Sequence, residues 1–195
     1  MFSSERRRSR WLLVMAMAGP LAPLAQAGGR TQCQPDEKVY FSCSAGKKMV
    51  SLCGQQAEGR IATLSYRYGL PGKVENEFVA TSANGQHFIG TAEPVSPRAE
   101  IQEVWFNRGE FSYLMTTCLG GDCTYDAGLA VLRRGKVISN LQCKDGPDLV
   151  GVFSSDLVEF GAGPGDSKSK TPLLKIDAYN NPVDKLYPVS PGSFP

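Results

Sequence analysis

Six cysteines, Cys33, Cys43, Cys53, Cys118, Cys123 and Cys143, all lie downstream of a segment laid out as an export leader. That combination constrains the fold more than any other feature. Arg6, Arg7, Arg8 and Arg10 form a basic start, Trp11 to Leu24 is mostly apolar, and Leu24-Ala25-Gln26-Ala27 supplies the small residues a signal peptidase reads. Residues 1–27 therefore read as a signal peptide. The apolar run contains Pro20 and Pro23 and is shorter than the roughly 20 residues a spanning helix needs, so no transmembrane segment is expected in the mature chain. A chain exported in this way folds where thiols become disulfides. The expected location is the periplasm or the extracellular space. Cleavage after Ala27 leaves 168 residues, enough for one domain with a real core.

The leader also distorts the charge balance. Four of the 21 Lys and Arg and one of the 19 Asp and Glu fall within residues 1–27, so the remainder carries 17 basic against 18 acidic groups. Without a basic excess to neutralise phosphates, nucleic acid is not expected as a partner.

Residues 36 to 144 read as short strands separated by turns, with no helical run of comparable length. Val39, Phe41 and Cys43 alternate on one face, and Met49 to Cys53 returns after a Ser44–Lys47 turn. Ile61 to Tyr68 places Ala62, Leu64, Tyr66 and Tyr68 on one face. Leu70-Pro71-Gly72-Lys73 has Pro and Gly where a type II turn requires them, and Val74 to Ala80 follows. Residues 82 to 100 are polar and irregular, with Pro94 and Pro97. Ile101 to Phe106 and Phe111 to Cys118 form a hairpin, followed by strands at 125–133 and 136–143. About eight strands with local connections predict an all-β antiparallel sandwich or small barrel over residues 28–160. Asp148 to Phe160 reads equally as a short helix or a final strand. Residues 161–195, opening on a Gly, Pro, Ser and Lys stretch, read as an extended or disordered tail whose apolar patches could dock on the domain or on a partner.

Six cysteines allow 15 complete pairings. Cys118 and Cys123 flank a Gly-Gly turn, which suits a local clip. Cys43 and Cys143 both fall in the inward phase of their strands, so a bridge between them would tie the first strand to the last. Cys33 and Cys53 remain and would tether the mature N-terminus. Neither a CxxC pair nor a second histidine is present, so no metal site of regular spacing and no cofactor is expected.

His87 is the one imidazole, and Ser82-Ala83-Asn84-Gly85-Gln86-His87-Phe88 matches no nucleophile elbow. Paired carboxylates for acid–base work cannot be singled out either, and Gly161-Ala162-Gly163-Pro164-Gly165 lacks the Gly-Lys-Ser/Thr ending of a phosphate loop. The expectation is a protein without catalytic residues. Two segments carry instead the aromatic and polar mixture common in binding surfaces: Ser82, Asn84, Gly85, His87 and Phe88 in one, Trp105 and Arg108 in the other. Trp105 and Phe106 also read as dividing between the two faces of a sheet, with Phe106 in the core.

The stretches VYFSCSAGKKMVSLCG, LSYRYGLPGKVENEF and GKVISNLQC resemble a loose group of small exported proteins of Gram-negative bacteria with no settled activity. Tyr40-Phe41-Ser42-Cys43 and Cys143, with the Ser82–Phe88 and Trp105–Gly109 segments, also resemble the periplasmic inhibitors of c-type lysozyme. Those are small antiparallel barrels that block their target with a loop. Here Phe88 stands where that loop carries Tyr, and Cys53, Cys118, Cys123 and the tail are additions. The resemblance implies a binding module whose partner is another protein, an envelope or foreign hydrolase, acting as an inhibitor or immunity-type factor. The alternative is a structural envelope protein that uses its tail to attach to a larger assembly.

Overall fold

The alternation visible in the sequence sorts the chain into two layers. The computed structural model describes residues 31–123, 126–143, 157–159 and 167–177. The strands are β1 (Lys38–Ala45), β2 (Lys48–Ala57), β3 (Arg60–Leu70), β4 (Lys73–Thr81), β5 (Phe88–Ser96), β6 (Ala99–Arg108), β7 (Phe111–Gly120), β8 (Ala127–Arg133), β9 (Lys136–Gln142), β10 (Val158–Glu159), β11 (Lys168–Ser169) and β12 (Leu174–Ile176). β1 to β4 form one antiparallel meander. β5 to β9 form a second, extended at its β5 edge by β12, which runs parallel to β5. Neither sheet closes on itself among the described residues, so the fold is an all-β sandwich rather than a barrel. No helix among them is long and apolar enough to cross a membrane.

Turn chemistry fixes the registers. Two hairpins turn on two residues with positive φ, Glu58 (52°) with Gly59 (73°), and Arg134 (50°) with Gly135 (75°). That backbone twist matches the twist of paired strands. The layer between the sheets holds Phe41, Val50, Leu52, Leu64, Tyr66, Phe78 and Ala80 from the first sheet, facing Phe88, Val104, Phe106, Met115 and Leu129 from the second. Phe106 is its centre: its ring stacks on Phe78 at 4.1 Å and on Tyr113 at 4.9 Å.

The three expected disulfides are the three that form: Cys33–Cys53, Cys43–Cys143 and Cys118–Cys123. They mark a chain that folds in an oxidising compartment. Cys43–Cys143 lies between the sheets, where both residues are buried. Cys33–Cys53 holds residues 31–37 against the outer face of the first sheet, where Gln32 N–H donates to Ser51 Oγ at 2.9 Å.

Three expectations are corrected. Residues 82 to 100 are not irregular throughout, because β5 occupies 88–96. Among the described residues β12 pairs only with Phe88 to Gly90, so Pro94 lies on the outer strand beyond that pairing, where a strand tolerates proline. Val39 and Phe41 do not simply alternate: a bulge between them sends both Tyr40 and Phe41 into the core. The domain does not end at residue 160. β10 pairs with β11, and Leu173 and Leu174 are buried in the inter-sheet layer, because two adjacent leucines beside an open strand edge gain more from burial than from water. The expected signal peptide, residues 148–156 of the helix-or-strand segment, and residues 161–166 and 178–195 of the tail lie outside the described residues.

Candidate functional site

The chain passes from one sheet to the other between β4 and β5, and residues 82–87 make that passage. Asn84 organises it. Its Oδ1 accepts from Thr81 N–H at 3.0 Å and Gln86 N–H at 2.9 Å, and its Nδ2 donates to Val79 C=O at 2.9 Å. Gly85 adopts a φ of 66°, which a side chain would resist. This is the local hydrogen bonding by which Asn holds a turn.

The β6–β7 turn stands beside this loop. Gly109 has a φ of 58°, and Arg108 just before it reaches back to the first sheet, donating to Asn76 Oδ1 at 3.0 Å and to Glu77 C=O. Ser112 Oγ and Asn107 Oδ1 lie 2.7 Å apart, the hydroxyl donating. Together the loop and the turn enclose a cleft of about 410 Å³, lined by Phe78, Val79, Asn84, Gln86, Asn107, Arg108 and Gly109. Its walls are mostly amides and backbone, with Phe78 and Val79, and among the described residues Arg108 is the one charged side chain that lines it. Such a wall suits a carboxylate or a hydroxyl-rich group, because guanidinium and amide N–H groups both donate.

Of the residues chosen from sequence, the structure brings Asn84 and Arg108 into this cleft. Ser82 and Gly85 are exposed on the same loop and His87 is half-buried. Phe88 and Trp105 are corrections, since neither offers a side chain to a partner. Phe88 opens β5 and turns inward, edge-on to Phe78 at 5.1 Å and to Phe106 at 5.6 Å. Trp105 is only 1% exposed, packed with Leu114, Ala130 and Leu132 on the other face of the second sheet. Gln86 and Asn107 line the cleft and were missed. Each is a polar neighbour of a turn glycine or arginine that was chosen, and that adjacency was the available signal.

A second cleft, about 340 Å³, opens between the sheets on the side of β9. Tyr66, Tyr68 and Tyr113 form one wall, and Leu129, Val131, Ile138 and Leu141 the other. Burial pushes the Tyr66 hydroxyl well above its ordinary value, so that ring is a neutral floor. At the rim, Lys48 Nζ bonds Glu75 Oε2 at 2.5 Å and sits 5.3 Å from the Tyr68 ring centre. The hydrogen bond to Glu75 raises the Lys48 ammonium above its ordinary value. Alternation places Tyr66 and Tyr68 on one strand face, but it does not show where two faces diverge to leave a cleft.

Cys33, Glu37 and Cys53 bring three ligand-type atoms close together, but the two sulfurs are bonded to each other, which removes the thiolates a metal would take. No family model matches this chain, and no curated protein or solved structure matches it.

Proposed function

We propose that this chain is an exported binding protein, periplasmic or secreted, that occludes another protein through the cleft between the β4–β5 loop and the β6–β7 turn. The observation that supports this reading is convergence: two segments distant in sequence and rich in polar side chains meet around one polar cleft carrying Arg108. The scaffold beneath them is cross-linked by three disulfides, so loops presented on it lose little freedom when they dock. The target class is a wall hydrolase such as a lysozyme, whose paired carboxylates are the groups a guanidinium and amides would engage.

The test is inhibition of purified c-, g- and i-type lysozymes by the exported protein. Stoichiometric inhibition that weakens about tenfold or more in Arg108→Ala, the scale of a hot-spot arginine, supports the reading. Inhibition unchanged by Arg108→Ala and Gln86→Ala removes the cleft from it. Absence of inhibition of all three removes the lysozyme target. Turnover of a small substrate by the pure protein, abolished by either change, replaces the binding class by an enzymatic one.

A further inference from the structure

Both walls of the cleft on the β9 side depart from a regular ladder. Successive side chains of a strand point to opposite faces, so two consecutive residues line one cleft only where a bulge turns one of them. Here that happens twice. On β4, Asn76 pairs with Tyr68 and Val74 with Gly69, which leaves Glu75 as the extra residue. On β9, Ser139 pairs with Val131 and Val137 with Leu132, which leaves Ile138 as the extra residue. Glu75 with Asn76, and Ile138 with Ser139, all line the cleft. One bulge in each sheet thus adds a side chain to the same cavity of about 340 Å³. Bulges that re-aim a side chain in this way are built features of a strand rather than defects.

The chemistry of the cleft suits an apolar occupant without charge. Tyr66 and Tyr113 hold their ring centres 6.0 Å apart, and the stack of Tyr113 on Phe106 backs them. Leu129, Val131, Ile138 and Leu141 form the opposite wall. Ile138 is 57% exposed, the most exposed large hydrophobic among the described residues, so an occupant would take apolar surface out of water. Among the described residues Glu75 is the one charged side chain that lines the cleft, and Lys48 on β2 already neutralises it at 2.5 Å. A charged occupant would therefore meet a like charge beside each opposite one. Asn76 and Ser139 add an amide and a hydroxyl, which can hydrogen-bond an uncharged oxygen.

We propose that this cleft binds the aliphatic chain of a single-chain amphiphile with an uncharged oxygen head, of the class of long-chain alcohols and acyl esters, taken up from water. The chain lies between the tyrosine rings and the aliphatic wall, and the head sits at the rim with Asn76 and Ser139. Among the described residues the site shares no lining residue with the polar cleft, so it stands or falls separately from the binding of a protein there.

The probes are hexan-1-ol, octan-1-ol and decan-1-ol, titrated calorimetrically into the purified, disulfide-bonded protein. Affinity should rise about fourfold per added methylene, the gain of moving that group out of water. It should level off near about ten carbons, when groups of roughly water size have filled the cleft. Octanoate and octylammonium should bind several-fold more weakly than octan-1-ol. Ile138→Asp should lower the affinity for octan-1-ol about tenfold or more, since it sets a charge against the chain. Ile138→Ser, a milder change at the same exposed position, stands in if that variant is not recovered folded. Val137→Asp is the control and should leave binding unchanged. Val137 is next in sequence and 42% exposed, but it pairs with Leu132 of the outer-face cluster and does not line the cleft. No saturable binding of any alkanol, or equal losses in Ile138→Asp and Val137→Asp, would overturn the site. Tighter binding of octanoate or octylammonium would overturn the uncharged head. Co-sedimentation with phosphatidylcholine vesicles that Ile138→Asp abolishes would make the occupant a bilayer lipid and overturn uptake from water.

Discussion

The guanidinium of Arg67 on β3 forks onto both carboxylate oxygens of Glu37, a residue thirty positions earlier in the segment pinned by Cys33–Cys53. Its third nitrogen bonds Glu77 Oε1 on β4 at 2.7 Å. The hydrogen bond to Glu37 is the main reason the Arg67 guanidinium is held above its ordinary value, and a second comes from Glu77. One planar cation thus joins the N-terminal segment to two strands, a task a point charge does poorly.

Removing the arginine should therefore cost more than a surface ion pair. The Glu37 side chain is 8% exposed and Arg67 10%, so Arg67→Ala leaves a nearly buried carboxylate without its partner. The expected loss is about 3 kcal/mol in urea unfolding, at the low end for orphaning a buried charge. Arg67→Lys should recover only part of it. A loss below about 1 kcal/mol would place the pair in the class of exposed bridges instead.

The disulfides should differ in worth according to the loops they close. Cys43–Cys143 spans 100 residues of sequence and Cys118–Cys123 spans five. Chain entropy predicts about 5 kcal/mol for the first and about 2 kcal/mol for the second. Paired Cys→Ala variants, compared by urea midpoint in the absence of reductant, test the ordering. Equal losses would show that contacts around the bridges, rather than loop closure, set their contribution.

These same bridges show what the sequence made legible. Cys43 and Cys143 could be paired because period-two alternation placed each with inward apolar neighbours, and the sheet geometry kept those phases. The phase failed at Tyr40, since a bulge changes the count by one residue and leaves no compositional mark. It was silent at β5, where Pro94 reads as a breaker and only the edge position makes a strand possible. The cleft was half legible: glycine and asparagine announced both turns, but nothing local told that residues 84–86 and 107–109 would meet. Trp105 had two readings, and its burial among Leu114, Ala130 and Leu132 decided against the exposed one.

Gly54 on β2 is required by Tyr40. The buried Tyr40 ring lies so close over Gly54 that an added Cβ would sit 2.3 Å from its Cε2. Tyr40 is fully enclosed and cannot swing away, so Gly54→Ala overpacks the site and should cost about 2 kcal/mol. Tyr40→Leu should cost stability alone but relieve the clash, making the double variant less damaged than the sum of the two. Additive losses would show that the ring and the glycine do not share the space.

The last strand should behave as core and not as tail. Leu174 is buried in the inter-sheet cluster, and its Cδ1 approaches so near Gly90 that a Cβ there would meet it at 3.4 Å. Beside it, Leu173 C=O accepts the Phe88 N–H at 2.8 Å, which anchors the first residue of β5. Leu174→Ala should therefore cost about 3 kcal/mol, the usual loss for truncating a buried leucine. It should also speed hydrogen exchange at the Phe88 amide more than at the central β7 amides, because β12 would open before the sheet does. A cost below about 1 kcal/mol, with Phe88 exchanging at the same rate as before, would mean that residues 174–176 decorate the sheet edge without holding it, and that the domain ends before them.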